Sequence, residues 1–401
     1  MALLSVADAL ARVTHGLVPL EAERVALGSA NGRVLAEDLA ARLTQPPFDA
    51  SAMDGYAVRG EDVAALPATL RLIGVAAAGA GFDGQVGRGE AVRIFTGAPV
   101  PQGADTIVIQ ENAEESHGVV TAKEAEPGRH IRPRGLDFKK GEVLLAAGTR
   151  LGPRELMLAA AMNHAELPVR RKPKVAILAT GDEVVPPGSE LGKDQIVSSV
   201  PIGLAALIER TGGEAMSLGI AKDDANSLVT LAHAGSAADI LVPIGGASVG
   251  ERDLVASALA SAGLAIDFWR IAMRPGKPLL FGRLGGQRVL GLPGNPVSAL
   301  VSAYVLLVPM LERMLGVAGK ARPLSDAVLG EPLEANGPRQ HYLRARSEWR
   351  EDGTRVVRPM PSQDSSLVAD LARADCLIVQ APDTPPLAQG ARVRIVPFER
   401  D

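Results

Sequence analysis

The chain has 401 residues, of which 47% are hydrophobic and 22% are charged. This balance is typical of a folded protein of several domains and excludes a disordered or fibrous chain. The formal net charge of -4 excludes the strongly basic character of a typical nucleic-acid-binding protein, and a single cysteine excludes an intrachain disulfide.

The apolar runs of the chain do not indicate a membrane protein. Asp8 interrupts the apolar run at the start, so no secretory signal is predicted. The run that begins at Ala299 is shorter than about 18 residues and contains Pro309, which indicates a buried helix. We therefore expect a cytoplasmic protein with neither a membrane nor a nucleic acid as its partner.

The N-terminal half of the chain contains two kinds of residue pattern. Ser5 followed by Asp8 predicts a capped helix, which opens an elongated domain of helix and strand formed by residues 1–40 and 138–170. Residues 41–137 instead carry glycine and proline around short β-rich runs, namely LRLIGVAA, EAVRIF and DTIVIQ. These runs predict an inserted β domain.

The C-terminal half predicts two further domains. Strand-like and helix-like segments alternate through residues 171–317, which predicts an α/β domain with a central, doubly wound parallel sheet. Residues 318–401 contain short strands separated by turns and predict a β-barrel. The charged run from Arg170 to Lys174 is interpreted as a solvated linker, and the six histidines as surface or capping residues.

Glycine-rich and charged segments follow the strands of the predicted central sheet. The ligand crevice of such a sheet lies beyond the carboxyl ends of its strands, where glycines let backbone N–H groups approach an anion. The turn RPGKP adds Arg274 and Lys277, and arginine can bind an oxyanion through two hydrogen bonds. The other candidates for this anion site are Thr180, Gly181, Asp182, Glu183, Gly245, Gly246, Ser248, Asp253, Pro293, Asn295 and Pro296.

Two common nucleotide-binding signatures receive no support. Gly79, Gly81 and Gly84 form a GxGxxG pattern, but the residues after it do not predict a helix, so a dinucleotide-binding fold is rejected. The chain also has no P-loop motif.

Three loops of the N-terminal half crowd polar residues among turn residues. They are PPFDASAMDGYA with Asp54, RIFTGAP with Thr96, and RPRGLD with Arg132 and Asp137. Loops of this density often contain binding sites, although by spacing alone an ordinary turn remains the simpler interpretation of each.

Six motifs together resemble the signature set of the molybdopterin molybdenumtransferase family, also known as MoeA and the gephyrin E-domain. They are PPFDASAMDGYAV, RIFTGAPVP, TGDE, GGASVGERD, RPGKP and GLPGNPVS, in this order. The resemblance covers essentially the whole chain and implies a homodimer whose cleft lies between subunits. It implies an enzyme that uses molybdate and adenylylated molybdopterin, needs a divalent cation such as Mg²⁺, and releases AMP. An adenylyltransferase and molybdoenzymes are its possible partners.

The resemblance also implies roles for individual residues. The catalytic group would be Asp54, Thr96, Asp137, Glu183, Asp253 and Lys277. The substrate-binding group would be Arg132, Thr180, Gly181, Asp182, Asp223, Gly245, Gly246, Ser248, Arg274, Pro293, Asn295, Pro296, Arg344 and Ser365. Asp223 is preferred to the adjacent Asp224, although the sequence does not show which one faces the cleft. Arg274 stands where some relatives have lysine, which keeps the charge.

The expected acids argue for a cation in the cleft. Both substrates are anions, and two like charges about 4 Å apart cost about 4 kcal/mol at an effective dielectric near 20. Magnesium prefers carboxylate and phosphate oxygens, so we expect it to bridge some of these acids and the substrate. Asp54, Glu183 and Asp253 are the predicted metal ligands.

Two other functions stay open at this point. One is the related molybdopterin adenylyltransferase, whose whole chain resembles only the middle domain here. The other is a non-catalytic dimeric scaffold of the gephyrin type that binds partner peptides. The segment around Asp54 argues against the first, and the retained acids and Lys277 argue against the second.

Overall fold

The computed structural model describes residues 3–245, 254–319 and 324–398. The chain begins with the helix Val6–Thr14, and the backbone N–H of Asp8 donates to the Ser5 hydroxyl at 3.0 Å, as the sequence predicts. The buried face of this helix packs in the core of the central domain. The buried Arg288 side chain of that domain also donates to two carbonyl oxygens at the end of the helix, at 3.2 and 2.7 Å.

The segments on either side of the inserted domain pair with each other. Ala22–Ala26 runs antiparallel to Glu166–Arg170, and Leu39–Ala40 runs antiparallel to Val143–Leu145. The helix Pro153–Ala161 has proline in its first turn, where the missing N–H costs no hydrogen bond. These segments share a hydrophobic cluster of their own.

The inserted domain is built around a six-stranded sheet. In spatial order its strands are Thr106–Ile109, Gly55–Val58, Glu90–Ile94, Ala68–Ala76, Val119–Ala122 and Ala113–Ser116. Beside it, Ala50–Ser51 pairs with Ile131–Arg132. The three runs that predict strands are confirmed, and residues 79–84 lie in the loop between two of them. Short 3-10 turns occur at Leu27–Ser29, Gly60–Val63 and Gln110–Asn112.

The central domain has a doubly wound sheet, as predicted. Its strands in spatial order are Glu214–Ala221, Lys174–Thr180, Ile240–Ile244, Gln287–Gly291, Leu280–Leu284 and Leu264–Trp269. The helices Val200–Thr211 and Pro296–Ser302 cover one face, and Ala225–Ala234 and Leu254–Ser261 cover the other. A smaller pair, Val184–Val185 with Ile196–Val197, follows the second strand.

The central sheet is not wholly parallel, which corrects the sequence prediction. Leu280–Leu284 runs antiparallel to both of its neighbours. It joins the next strand through Gly285 and Gly286, and Gly285 has a φ of +59°. Two glycines between strands are typical of a tight hairpin turn, so this local signal existed in the sequence.

The apolar run in the C-terminal half forms a buried helix, as predicted. It comprises Pro296–Ser302, a π-helical segment Ala303–Leu307 and Val308–Met314. The wider π turn ends two residues before Pro309, which has no N–H to continue the α pattern. The whole helix has 19 residues and is apolar enough to cross a membrane, but 83% of its apolar window is buried inside the protein.

The C-terminal domain is a closed five-stranded barrel, which confirms the prediction. Its strands are Ser325–Leu329, Gln340–Trp349, Arg355–Pro359, Cys376–Gln380 and Arg392–Pro397. Val368–Arg373 is a short helix beside it. Met273–Arg274 pairs in parallel with the longest barrel strand and thereby attaches the barrel to the central domain.

The charged run after Arg170 is not a solvated linker. The Arg171 guanidinium donates to both carboxylate oxygens of Asp239, at 2.7 and 2.8 Å, and also contacts Glu21. Arg170 donates to the carbonyls of Leu20 and Ala36. The prediction of a solvated run was wrong for Arg170 and Arg171, because partners far away in sequence hold both side chains at the boundary between two domains, whereas Lys172 and Lys174 are exposed.

Two histidines also depart from their predicted surface positions. His164 and His341 are buried. Burial, together with the nearby cations Arg274 and Arg339, lowers the pKa of His341 to about 4. His341 is therefore neutral at physiological pH.

Candidate active site

A cavity of about 1270 Å³ lies at the carboxyl ends of the central strands. The parallel strands Lys174–Thr180 and Ile240–Ile244 both end at its wall. This is the edge at which the sequence predicts a site. The predicted residues that line the cavity are Thr180, Gly181, Glu183, Asp223, Gly245, Pro293, Asn295 and Pro296.

A hydrogen bond and a close approach fix the turn that follows the first of these strands. The Thr180 hydroxyl donates to the Ile244 carbonyl at 3.0 Å, which ties the two strand ends together. Gly181 has a φ of +126°, and a Cβ atom there would lie 2.5 Å from a carboxylate oxygen of Glu183. Glycine is therefore required for Glu183 to fold back over the turn.

Asp223 and Asp224 have different roles in the structure. Asp223 lines the cavity, and its N–H donates to Asp182 at 3.2 Å. Asp224 is the N-cap of the helix Ala225–Ala234, and its carboxylate accepts from the Ser227 N–H at 2.8 Å. The geometry therefore favours Asp223 as the residue that faces the cavity.

Two helices begin at the cavity wall. The helix Val200–Thr211 starts after Ser199, and the helix Pro296–Ser302 starts after Asn295, and neither N-cap side chain makes a capping hydrogen bond. Helix N-termini carry partial positive charge and favour anions. The segment 196–201 was not among the predicted residues, although a proline just inside a helix start was available as a signal.

The cationic turn RPGKP lies beside the cavity. Pro278 lines the wall, Arg274 is exposed and Lys277 is half-buried. Gly276 has a φ of +103°, and a Cβ atom there would lie 2.5 Å from the Ser302 hydroxyl oxygen. This close approach fixes the turn against the long helix.

The barrel contributes a loop to the same region. The Asn295 side-chain amide donates to the Ser365 hydroxyl at 3.1 Å, and the Val297 N–H donates to the Ser365 carbonyl at 3.2 Å. Ser366 lines the cavity. Ser365 thus contacts the helix start at the cavity wall, and its neighbour Ser366 is the residue of this loop that lines the cavity.

Arg344 does not face the cavity, which corrects its predicted role in substrate binding. It is 1% exposed, and its guanidinium donates to the carbonyls of Ser362, Asp364 and Leu367 at 2.8 to 3.1 Å. Its side chain therefore holds the loop that carries Ser365.

A second polar cluster lies in the inserted domain. The Thr96 N–H and hydroxyl both donate to one carboxylate oxygen of Asp54, at 2.7 and 2.8 Å. The backbone and then the side-chain hydrogen bond of Thr96 lower the pKa of Asp54, and the nearby Arg93 acts in the same direction. The Asp54 carboxylate therefore stays ionised even when the pH falls well below neutral.

Arg132 and Asp137 are both exposed, at the end of the segment that the inserted domain occupies. Arg132 lies in the strand pair with Ala50–Ser51, and the Asp137 N–H donates to the Gln45 carbonyl at 3.0 Å. Gly246, Ser248 and Asp253 lie outside the described residues. Within the described part of the chain, no group of three His, Cys, Asp or Glu side chains forms a metal-binding cluster.

Family models match three consecutive parts of the chain. The MoeA N-terminal region (domain I and II) matches residues 4–163, the probable molybdopterin binding domain matches 176–313, and the MoeA C-terminal region (domain IV) matches 326–398. These matches and the multidomain fold together define a class, in which a domain described as a probable molybdopterin binding domain lies between two MoeA-type regions.

Full-length relatives narrow this class. The molybdopterin molybdenumtransferase of Haemophilus influenzae is 36% identical over 384 residues, which is 95% of this chain and 95% of the relative. The enzyme of that name from Nostoc sp. is 38% identical and covers 83% of this chain and 80% of the relative. A molybdopterin biosynthesis MoeA crystal structure from Pyrococcus horikosii is 33% identical, with a TM-score of 0.84 and full coverage of both chains.

The chain therefore belongs to the molybdopterin molybdenumtransferase family, as the six motifs indicate. The relatives that match over nearly the full length are named as transferases. Neither the adenylyltransferase nor the scaffold interpretation gains support from them.

Proposed function

We propose that this chain inserts molybdenum from molybdate into adenylylated molybdopterin and releases AMP. The family supports this reaction class. We assign the reaction to the cavity, because two helices begin at its wall and the carboxylates of Glu183 and Asp223 line it. Helix N-termini favour the anionic substrates, whereas the carboxylates need a cation between themselves and a phosphate.

Magnesium fits this set of donors. The Glu183 and Asp223 carboxylates at the cavity are hard oxygen ligands, and Asp182 is held beside Asp223 by the 3.2 Å hydrogen bond. Mg²⁺ is commonly bound by one or two carboxylates together with phosphate oxygens and waters, so a three-residue cage within one chain is not required. We propose Glu183 and Asp253 as ligands, with Asp54 supplied from a second copy of the chain. Bound magnesium would neutralise charge on the phosphate and polarise its oxygens.

The remaining predicted residues would bind and orient the substrates. Arg274, Lys277 and Arg132 would bind molybdate or phosphate oxygens, because each carries a positive charge near one of the two polar clusters. Thr96 and Ser248 would donate hydrogen bonds, and Asp137 would act at the mouth of the cleft. Correct placement of the reacting groups is the main catalytic contribution expected of such residues.

A homodimer would bring the two polar clusters together. Exposed apolar side chains occur at Phe48, Met53 and Leu136, in the loops of the inserted domain that carry Asp54, Arg132 and Asp137. In the central domain, the exposed Ile196 and Val197 line the cavity, and Leu191 and Ile202 are exposed on either side of them in the sequence. Grouped exposed apolar residues commonly mark interaction surfaces. We propose that these two sets face each other between subunits, so that each cleft contains both clusters.

The cytoplasm is the proposed location, because a nucleotide-linked substrate must be supplied there by an adenylyltransferase. The same chemistry makes that enzyme a candidate partner, and molybdoenzymes are candidate recipients of the product.

The first test is AMP release from adenylylated molybdopterin by the purified protein. We expect release to require both Mg²⁺ and molybdate and to yield active cofactor. Reactions that omit one of the two serve as controls, and the oligomeric state is measured on the same sample. Tight binding of the pterin nucleotide without AMP release would contradict the enzymatic function and support a scaffold.

A further inference from the structure

Phe95 is an exposed aromatic residue at the edge of the Asp54 cluster, and the roles given above do not use it. It is 39% exposed and directly precedes Thr96, whose N–H and hydroxyl donate to Asp54. The Ala98 N–H donates to the Phe95 carbonyl at 3.0 Å, and Gly97 has a φ of +83°, as a type II turn needs. The turn therefore fixes the backbone of Phe95 and Thr96 together.

The ring of Phe95 ends a stack that starts in the core of the inserted domain. The guanidinium carbon of Arg93 lies 4.9 Å from the ring centroid of Tyr56 and 5.2 Å from that of Phe95. Tyr56 and Arg93 oppose each other on paired strands, and Phe95 follows two residues later on the same face. Tyr56 is buried, so the stack runs from the core to the surface.

Hydrogen bonds hold the inner part of this stack in place. Arg93 donates to the side-chain oxygen of Gln110 at 2.7 Å, and the Tyr56 hydroxyl donates to Glu115 at 2.9 Å. Cation–π contacts at this range are attractive and orient the rings. Because Arg93 lies against two rings and is bonded to Gln110, it is placed to position Phe95 rather than to bind an anion.

An exposed ring that is already fixed loses little conformational entropy when a ligand stacks on it. Nucleobases and similar flat heterocycles stack on such rings regardless of their hydrogen-bonding pattern. We propose that Phe95 is a stacking platform for a flat heterocycle of the substrate, either the pterin or the adenine ring. Thr96, the residue after Phe95, and the Asp54 carboxylate bonded to it would then meet the charged part of the same molecule. This inference rests on the proposed function, because it assigns part of that substrate to the Asp54 cluster.

The test compares Phe95→Leu, which keeps an apolar side chain without a π face, with Phe95→Tyr, which keeps the ring. We expect Phe95→Leu to raise the KM for adenylylated molybdopterin between about fivefold and about 150-fold, from the energy of one base on an aromatic ring. The KM for molybdate should not change, and Phe95→Tyr should behave like the wild type. Separate titrations with AMP and with molybdopterin identify the ring, since the stacked one loses affinity.

Trp349→Leu is the matched control. Trp349 is 66% exposed in the barrel, and the Arg355 guanidinium carbon lies 5.5 Å from its ring centroid. The Trp349→Leu variant should leave the KM for adenylylated molybdopterin and the KM for molybdate unchanged. Three results for Phe95→Leu would each contradict the proposal that Phe95 is a stacking platform. They are an unchanged KM for adenylylated molybdopterin, an equal rise in the KM for molybdate, and loss of the homodimer. A wild-type protein that releases no AMP would instead contradict the proposed function itself.

Discussion

The two polar clusters of the molecule are assembled in different ways. Asp54 and Thr96 come from turns of one small β domain, and their contact depends on neighbouring strands of a single sheet. Thr180, Glu183 and Asp223 instead meet because parallel strands end at one edge, where helices begin. The first cluster is open, whereas the second lines a cavity of about 1270 Å³. Under the proposed function, the cavity would bind the charged substrates and the open cluster would complete the cleft from another subunit.

The largest effect is expected from Glu183→Gln. This change removes a charge from the cavity wall while it keeps the size of the side chain, and loss of such a preorganised group lowers rates on the order of 100-fold. AMP release at saturating Mg²⁺ measures the effect. Glu190→Gln, in an exposed part of the same loop, should retain the wild-type rate. Equal rates for both variants would remove Glu183 from the site.

A smaller loss, about tenfold or more, is expected from Asp54→Ala, because the open cluster would supply one group to a cleft formed mainly by the cavity. The carboxylate is partly exposed, so the protein should stay folded, with only the small loss of stability expected when the two hydrogen bonds from Thr96 are removed. Molybdenum insertion is the measurement, and Asp83→Ala in the same domain is the control. A wild-type rate of molybdenum insertion in Asp54→Ala would contradict the proposal that the two clusters form one cleft.

The adjacent aspartates at the cavity should separate stability from activity. Asp224→Ala removes an N-cap and should lower the free energy of unfolding by about 1 kcal/mol. Asp223→Ala should leave that free energy unchanged and weaken binding of the pterin nucleotide. Thermal melting and ligand titration of both variants decide this. The opposite pattern would show that Asp224 is the residue that contacts substrate.

The smallest effect is expected from Thr96→Val, which removes the 2.8 Å hydroxyl bond to Asp54 and keeps the backbone bond. The pKa of Asp54 is below its ordinary value of 3.8, so its contribution to stability is present above that value and is lost as the pH falls through the folded-state pKa. The variant should raise this pKa towards 3.8. Carboxyl NMR titration measures it, and an unchanged pKa would mean that the hydroxyl has no influence on the charge.

Local motifs explain why most of the candidate site could be predicted. Glycines with positive φ at Gly181 and Gly276 permit close approaches that few other residues allow, so they leave a visible signal in the sequence. The hairpin at Gly285 also had a local signal, the pair Gly285 and Gly286, but the alternation of strands and helices favoured a wholly parallel sheet. The position of Arg93 between two rings was missed because its partner Tyr56 is distant in sequence, whereas the segment 196–201 had a local signal in Pro201 that was not used.

The domain classes, the capped first helix, the strands of the barrel and the motifs of the family could be predicted from the sequence, because each depends on residues close together in the chain. Which of these residues meet depends on the tertiary structure. It buried Arg344 under the loop of Ser365, and it placed Asp223 at the cavity and Asp224 at a helix cap. Burial and long-range pairing follow from how elements pack, and residues that look alike in sequence therefore acquire different roles.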